Sequence, residues 1–140
     1  MSYDPQNPFA KILRGELPCV KVYEDAQTLC IMDIMPQADG HALVLTKEPA
    51  ATLLELSPEG AAACIQTAQR IARAIQKGLD APGVLVSQFN GAAAGQTVPH
   101  VHFHVIPRWP DRPLRMHARH TERPEVLREV AQKIVAALDS

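Results

Sequence analysis

An α+β fold on an antiparallel sheet is predicted by three features of the chain. Short β-type runs follow one another as local hairpins, long helical patterns are confined to two places, and no regular βαβ alternation appears. The sheet should hold about five strands, with a short N-terminal helix, a main helix and a C-terminal helix around it.

The elements follow in order. In QNPFAKILRGELP, Asn7 can cap a short helix that has Pro8 at its first position and Gly15 just past its end, with Phe9, Ile12 and Leu13 on one face. CVKVYED and TLCIMD read as a β-hairpin turning at residues 25–27. Pro36, Asp39 and Gly40 mark a loop, and HALVLT is the third strand. The segment SPEGAAACIQTAQRIARAIQKG offers Ser57 as cap, Pro58 at the first position, Ala61, Ile65, Ala68, Ile71 or Ala72, and Ile75 as an apolar stripe, and Gly78 as terminator. GVLVSQFN and VPHVHFHVIP are strands four and five, joined by the small-residue loop GAAAG, where backbone can come close to a ligand. The tail RPEVLREVAQKIVAAL sets Val126, Val130, Ile134 and Leu138 at successive turns of a last helix.

With 140 residues and 46% hydrophobic content, one domain over residues 1–140 with a real core is expected. A net charge of −1 gives no general attraction to nucleic acid or anionic membrane, so a small molecule is the better ligand class. Cys19, Cys30 and Cys64 are widely spaced without a CxxC pair, which argues against a disulfide framework or a thiolate metal site and fits a reducing cytoplasm. No export signal or membrane-spanning run is read in the chain.

The segment GQTVPHVHFHVIPR carries the chemistry. In a strand, side chains alternate, so His100, His102 and His104 face one way while Val101, Phe103 and Val105 anchor the other face in the core. A shared zinc is one use of such a row, but a third histidine on a straight strand is hard to bring to the same ion. A solvent face that happens to use histidine is another. The reading favoured is metal-free nucleophilic catalysis: a neutral imidazole attacks phosphorus well and needs its second nitrogen held, for which a backbone carbonyl on a bent neighbouring segment suffices. Asn90, Gln96 and Thr97 are neutral donors beside the glycine loop, suited to phosphate oxygens. Phosphoryl or nucleotidyl transfer is the chemistry expected.

HVHFHVI preceded by NGAAAGQTV resembles the histidine triad (HIT) family of nucleotide hydrolases and transferases. PFAKILRGELP, VYED, DIMPQADGHALVLTK and HVIPR stand in the order and spacing of its branch that hydrolyses nucleoside phosphoramidates. The resemblance covers residues 8–108 and leaves the tail, 109–140, outside it. It implies a HIT-like fold, a homodimer formed by joining sheets, a purine nucleotide substrate, no cofactor, and attack of His102 on the α-phosphorus to give a nucleotidyl-histidine. It also implies that His104 and Thr97 assist at phosphate and leaving group and that His100 orients the nucleophile. Asp33 matches the residue that holds the ribose hydroxyls, Phe9, Ile12, Ile31 and Ile34 the walls around the base, and Asn90, Gly95 and Gln96 the phosphate-side loop.

Plainer readings stand beside these. The apolar four also suit an ordinary core, Asp33 an Asx-type turn, and His41 a satisfied structural histidine. The positions at which bacterial relatives bind a structural zinc read Asn7, Ala10 and Pro49 here, so no metal is expected. Pro99 before the triad suggests an edge, a bulge or an unpaired position. Arg108, Arg112, Arg115, Arg119 and Arg123 form a locally basic run, read as a solvated tail or as a reach toward phosphate, and Trp109 is a possible cap on the site. The activity expected is hydrolysis of adenosine 5'-phosphoramidates, with dinucleoside polyphosphate cleavage and a nucleotide-binding regulatory role as the alternatives.

Overall fold

The computed structural model describes residues 3–116 and 120–138. Its element order is α1 (Pro8–Leu13), β1 (Lys21–Glu24), β2 (Thr28–Met32), β3 (Ala42–Thr46), α2 (Pro58–Leu79), β4 (Gly83–Ser87), β5 (His102–Arg108) and α3 (Pro124–Leu138). The strands form one antiparallel sheet in the order β1-β2-β3-β5-β4.

The alternation of β2, β3 and β5 divides the core between two faces of this sheet. Cys30, Met32, Val44, Phe103 and Val105 point to one face, where Val101 also packs and where α2 contributes Cys64, Ala68, Ile71 and Ile75 and α3 contributes Leu127, Ala131 and Ile134. Leu29, Ile31, Leu43 and Leu45 point to the other, where α1 lays Phe9 against them. Register sets the histidines on this second face: His104 lies opposite Leu43 and His102 opposite Leu45. Burial of Phe103 and Val105 thus fixes the direction of the imidazoles, because a slip of one residue would reverse every side chain.

The expected caps form. Asn7 Oδ1 accepts from Ala10 N–H at 2.9 Å, Ser57 Oγ accepts from Gly60 N–H at 2.9 Å, and each helix has Pro at its start. Several details differ from the sequence expectation. Gly78 does not end α2, which runs to Leu79 and closes on Asp80 in a left-handed conformation, φ 54°. Gly78 is instead where α3 crosses: a Cβ there would collide with the Lys133 carbonyl. The buried stripe of α2 is centred on Cys64, Ala68 and Ile71, leaving Ile65 exposed, and that of α3 on Leu127, Ala131 and Ile134 rather than on Val126. β5 begins at His102, so Pro99 and His100 lie in the bend before it. No helix among the described residues is long and apolar enough to cross a membrane.

Candidate active site

His102 and His104 project from β5 into a cleft of about 520 Å³ whose opposite wall comes from α1 and the segment after it. Phe9 and Ile12 of α1, Ile31 of β2, and Asp33 and Ile34 just beyond it line the cleft together with Thr97 and both histidines. The lining is largely apolar, and Asp33, Thr97, His102 and His104 are its polar groups. Ile34 is 54% exposed although apolar, so it lies outside the core and on the open side of the cleft lining. Phe9 is 9% exposed and sets its ring edge on His102, with centroids 4.8 Å apart at 79°, so it belongs both to the core and to the site.

The hydrogen bonds assign the imidazole protons. His102 Nδ1 lies 2.6 Å from the His100 carbonyl. A carbonyl only accepts, so Nδ1 carries the proton and the lone pair of the neutral ring is on Nε2. The carbonyl comes from the bend ahead of β5, the arrangement that a nucleophilic imidazole requires. His100 itself does not lie along the row: its Nε2–H donates to the Thr46 carbonyl at 2.8 Å, and its Nδ1 accepts from the Tyr3 hydroxyl at 2.7 Å. Burial holds its pKa below the ordinary histidine value, so this ring is neutral near pH 7.

His104 is governed by His41. Gln37 N–H donates to His41 Nδ1 at 3.0 Å, so the His41 proton is on Nε2, which points to His104 Nδ1 at 3.0 Å with Asp33 Oδ2 at 3.4 Å. His104 Nδ1 accepts, which leaves the His104 proton on Nε2. With ring centroids 5.0 Å apart, the two histidines therefore present complementary atoms: a lone pair on His102 Nε2 and a donor on His104 Nε2. Opposite tautomers on adjacent rings are what a nucleophile and its acid partner need.

Asp33, His41 and His104 also bring one potential metal-ligand atom each within 4.8 Å of one another. The 3.0 Å contact between His41 and His104 is a normal hydrogen bond. Asn7 and Ala10 are joined by the helix cap, and both nitrogens of His100 have partners.

The phosphate-side loop is held by its own carboxamides. Gln96 accepts from Gly91 N–H and donates to the Ala51 and Val98 carbonyls, and Asn90 accepts from Leu53 N–H while pairing with Gln88. These carboxamides build the loop, and neither residue lines the cleft; nor does Gly95, which at φ 100° turns the chain back toward Thr97. Within this loop, Thr97 lines the cleft. Asp33 fulfils the Asx-turn reading, accepting from Met35 N–H at 2.9 Å, and still faces the cleft with 9% exposure.

The basic run lies elsewhere. Arg112 stacks on Trp109, Trp109 donates to the Asp80 carbonyl, and Arg115 pairs with Asp39. None of these residues, nor Arg108, lines the cleft. Arg119 lies outside the described residues. The sequence reading passed over Tyr3, Leu17, Pro18 and Met35, because an N-terminal tyrosine and isolated apolar residues in a turn carry no periodic signal.

Residues 14–111 match the HIT domain. An adenylylsulfatase, HINT3 of Arabidopsis thaliana, is 44% identical over 118 residues, 79% of this chain and 59% of that protein. The adenosine 5'-monophosphoramidase hnt1 of Schizosaccharomyces pombe is 42% identical over 116 residues, covering 76% and 84%. A Hit-like protein of Bartonella henselae, described as involved in cell-cycle regulation, superposes with a TM-score of 0.91 at 46% identity over 97% of this chain and 99% of that one. A zinc-bound histidine triad protein of Mycobacterium smegmatis follows with a TM-score of 0.82 at 36% identity, over 94% and 91%. A domain match over residues 14–111, a shared fold, and two adjacent histidines held as opposite tautomers in an apolar cleft make this chain a member of the HIT family.

Proposed function

We propose that the protein hydrolyses nucleoside 5'-phosphoramidates of the AMP type through a nucleotidyl intermediate on His102. The observation that carries this is the 2.6 Å bond from His102 Nδ1–H to the His100 carbonyl, which puts the lone pair of the neutral ring on Nε2, the atom that attacks phosphorus. The relatives named for phosphoramidase and adenylylsulfatase activity are hydrolases of adenylyl compounds, which supports a nucleotide hydrolase here.

In the first half-reaction a bond forms between His102 Nε2 and the α-phosphorus while the phosphorus–nitrogen bond of the substrate breaks. His104 Nε2–H hydrogen-bonds the departing nitrogen, which leaves as the amine with a proton taken up from solvent. Water then attacks the same phosphorus and gives its proton to solvent, and the nucleoside monophosphate leaves with His102 restored. Thr97 meets a phosphate oxygen, Asp33 accepts from the ribose hydroxyls, and Phe9, Ile12, Ile31 and Ile34 hold the purine. No metal is required in this sequence of steps, so activity should persist after exhaustive chelation.

The test is His102→Ala against adenosine 5'-phosphoramidate, diadenosine polyphosphates and nucleotidyl sugars. Nucleotide binding should survive and turnover should fall by several orders of magnitude. An alkaline denaturing quench of the unaltered protein with labelled substrate should trap base-stable label that acid then releases, and the variant should trap none. Retention of most activity by the variant overturns the double displacement. A preference for diadenosine polyphosphates would move the substrate assignment and leave the nucleophile in place.

We further propose a homodimer joined through β4. It is an edge strand of the sheet, and its Leu85 and Val86 are 39% and 40% exposed, which favours pairing with a second copy over leaving the edge open. Operation in a reducing compartment such as the cytoplasm is supported by Cys19, Cys30 and Cys64, none of which is in a disulfide.

A further inference from the structure

We infer that Tyr3 is a positioning residue for His102, acting through His100; this rests on the reading of His102 as nucleophile. The carbonyl that fixes the His102 tautomer belongs to His100, so whatever immobilises His100 immobilises the nucleophile. His100 is 1% exposed, which makes an unpartnered ring nitrogen costly. The partner on Thr46 is its carbonyl, and that contact obliges Nε2 to be the protonated nitrogen. Nδ1 must then accept, and the hydroxyl of Tyr3 supplies the proton at 2.7 Å.

No other tautomer satisfies both contacts: moving the proton to Nδ1 would turn the Nε2 lone pair on the Thr46 carbonyl. The Thr46 carbonyl fixes the tautomer, and Tyr3, bonded to the remaining nitrogen, holds the orientation of a ring whose own backbone oxygen holds His102 at 2.6 Å.

The segment that delivers Tyr3 is itself tied down. Asn7 donates from both its backbone N–H and its side-chain amide to the Asp4 carbonyl, while its Oδ1 caps α1 on Ala10 N–H. The same helix sets Phe9 edge-on to both rings, 4.8 Å from His102 and 6.2 Å from His100. Residues 3–10 thus form a strap from the cap of α1 to the back of the triad. Pro8 and Phe9 of the strap also line the cleft.

The experiment is Tyr3→Phe in the full chain, which keeps the ring and removes the hydroxyl. Turnover of adenosine 5'-phosphoramidate should fall by roughly three- to tenfold, the worth of one hydrogen bond, with KM changed by less than about twofold. Long-range proton–nitrogen NMR should show the His100 Nδ1 resonance shifting as it loses its hydrogen-bond donor, with the proton still on Nε2, and the His102 Nδ1–H signal weakening. A fall in turnover without the nitrogen shifts, shifts without a fall, or a change confined to KM each overturns the inference. His102→Ala is measured beside it. If that variant remains active, the nucleophile assignment fails and the role of Tyr3 with it. If it is inactive while Tyr3→Phe behaves as the unaltered protein, only the role of Tyr3 fails.

Discussion

Asp33 does two jobs with two oxygens. Oδ1 accepts from Met35 N–H and shapes the turn after β2, while Oδ2 stands 3.4 Å from His41 Nε2 at the edge of the cleft. Its replacement by alanine would remove the turn contact along with the charge, so Asp33→Asn is the cleaner probe of ribose recognition. The asparagine variant should keep its melting midpoint and lose about 1.5 to 3 kcal/mol of nucleotide affinity, the value of a hydrogen bond to a charged group. Titration calorimetry checks this, and an unchanged dissociation constant would remove Asp33 from the ribose. His41 shows the limit of reading one residue at a time. It stands out in GHALVL as one histidine in an apolar run, equally suited to structure or to chemistry. Its bond to His104 makes it both, and that bond joins residues 63 positions apart that only the β3–β5 pairing brings together.

Helices α2 and α3 cross so closely that side chains are excluded at the crossing. Gly78 sits there, one residue before the end of α2, and a Cβ would meet the Lys133 carbonyl, which as backbone has little room to move. Gly78→Ala should therefore destabilise the protein by about 1 to 3 kcal/mol despite the better helix propensity of alanine, as in overpacked cores. Thermal melting reads the sign, and a stabilised variant would mean that α3 is free to shift. In the sequence, Gly78 imitates a terminator because glycine after a periodic stretch usually is one. The cap on α1 was legible for the converse reason: Asn7 followed by Pro8 acts through contacts within one turn. Asn7→Ala should cost about 1 kcal/mol, and it should weaken nucleotide binding too, since α1 holds Phe9 and Ile12 in the cleft. Equilibrium unfolding and nucleotide titration measure the two effects, and a loss of stability with unaltered binding would uncouple α1 from the site.

Across the whole molecule, the buried His100 links stability to pH. Its folded pKa lies below the ordinary value of about 6.5 because burial penalises the charged ring, while in the unfolded chain the ring takes up a proton as the pH falls through that value. The stability it contributes is therefore complete above about pH 6.5 and is lost as the pH drops from there toward the lowered folded value. Denaturant unfolding of the protein and of His100→Gln between pH 7.5 and 5 should show the unaltered protein losing up to about 1.4 kcal/mol more per pH unit than the variant. Equal slopes would show that His100 titrates alike in both states. The order of the elements, the alternation that sets the histidines opposite Val101, Phe103 and Val105, and the family were all present in the sequence, because periodicity, capping and motif spacing act over a few residues. The tertiary structure decided which atoms the chemistry uses. It set His100 in a bend, where its carbonyl rather than its ring meets His102, turned the carboxamides of Asn90 and Gln96 into the loop, and brought Tyr3 and His41 to partners 97 and 63 residues away. Hydrogen bonds between distant segments are specified only once the sheet has closed and water is gone, so no local pattern in the chain announces them.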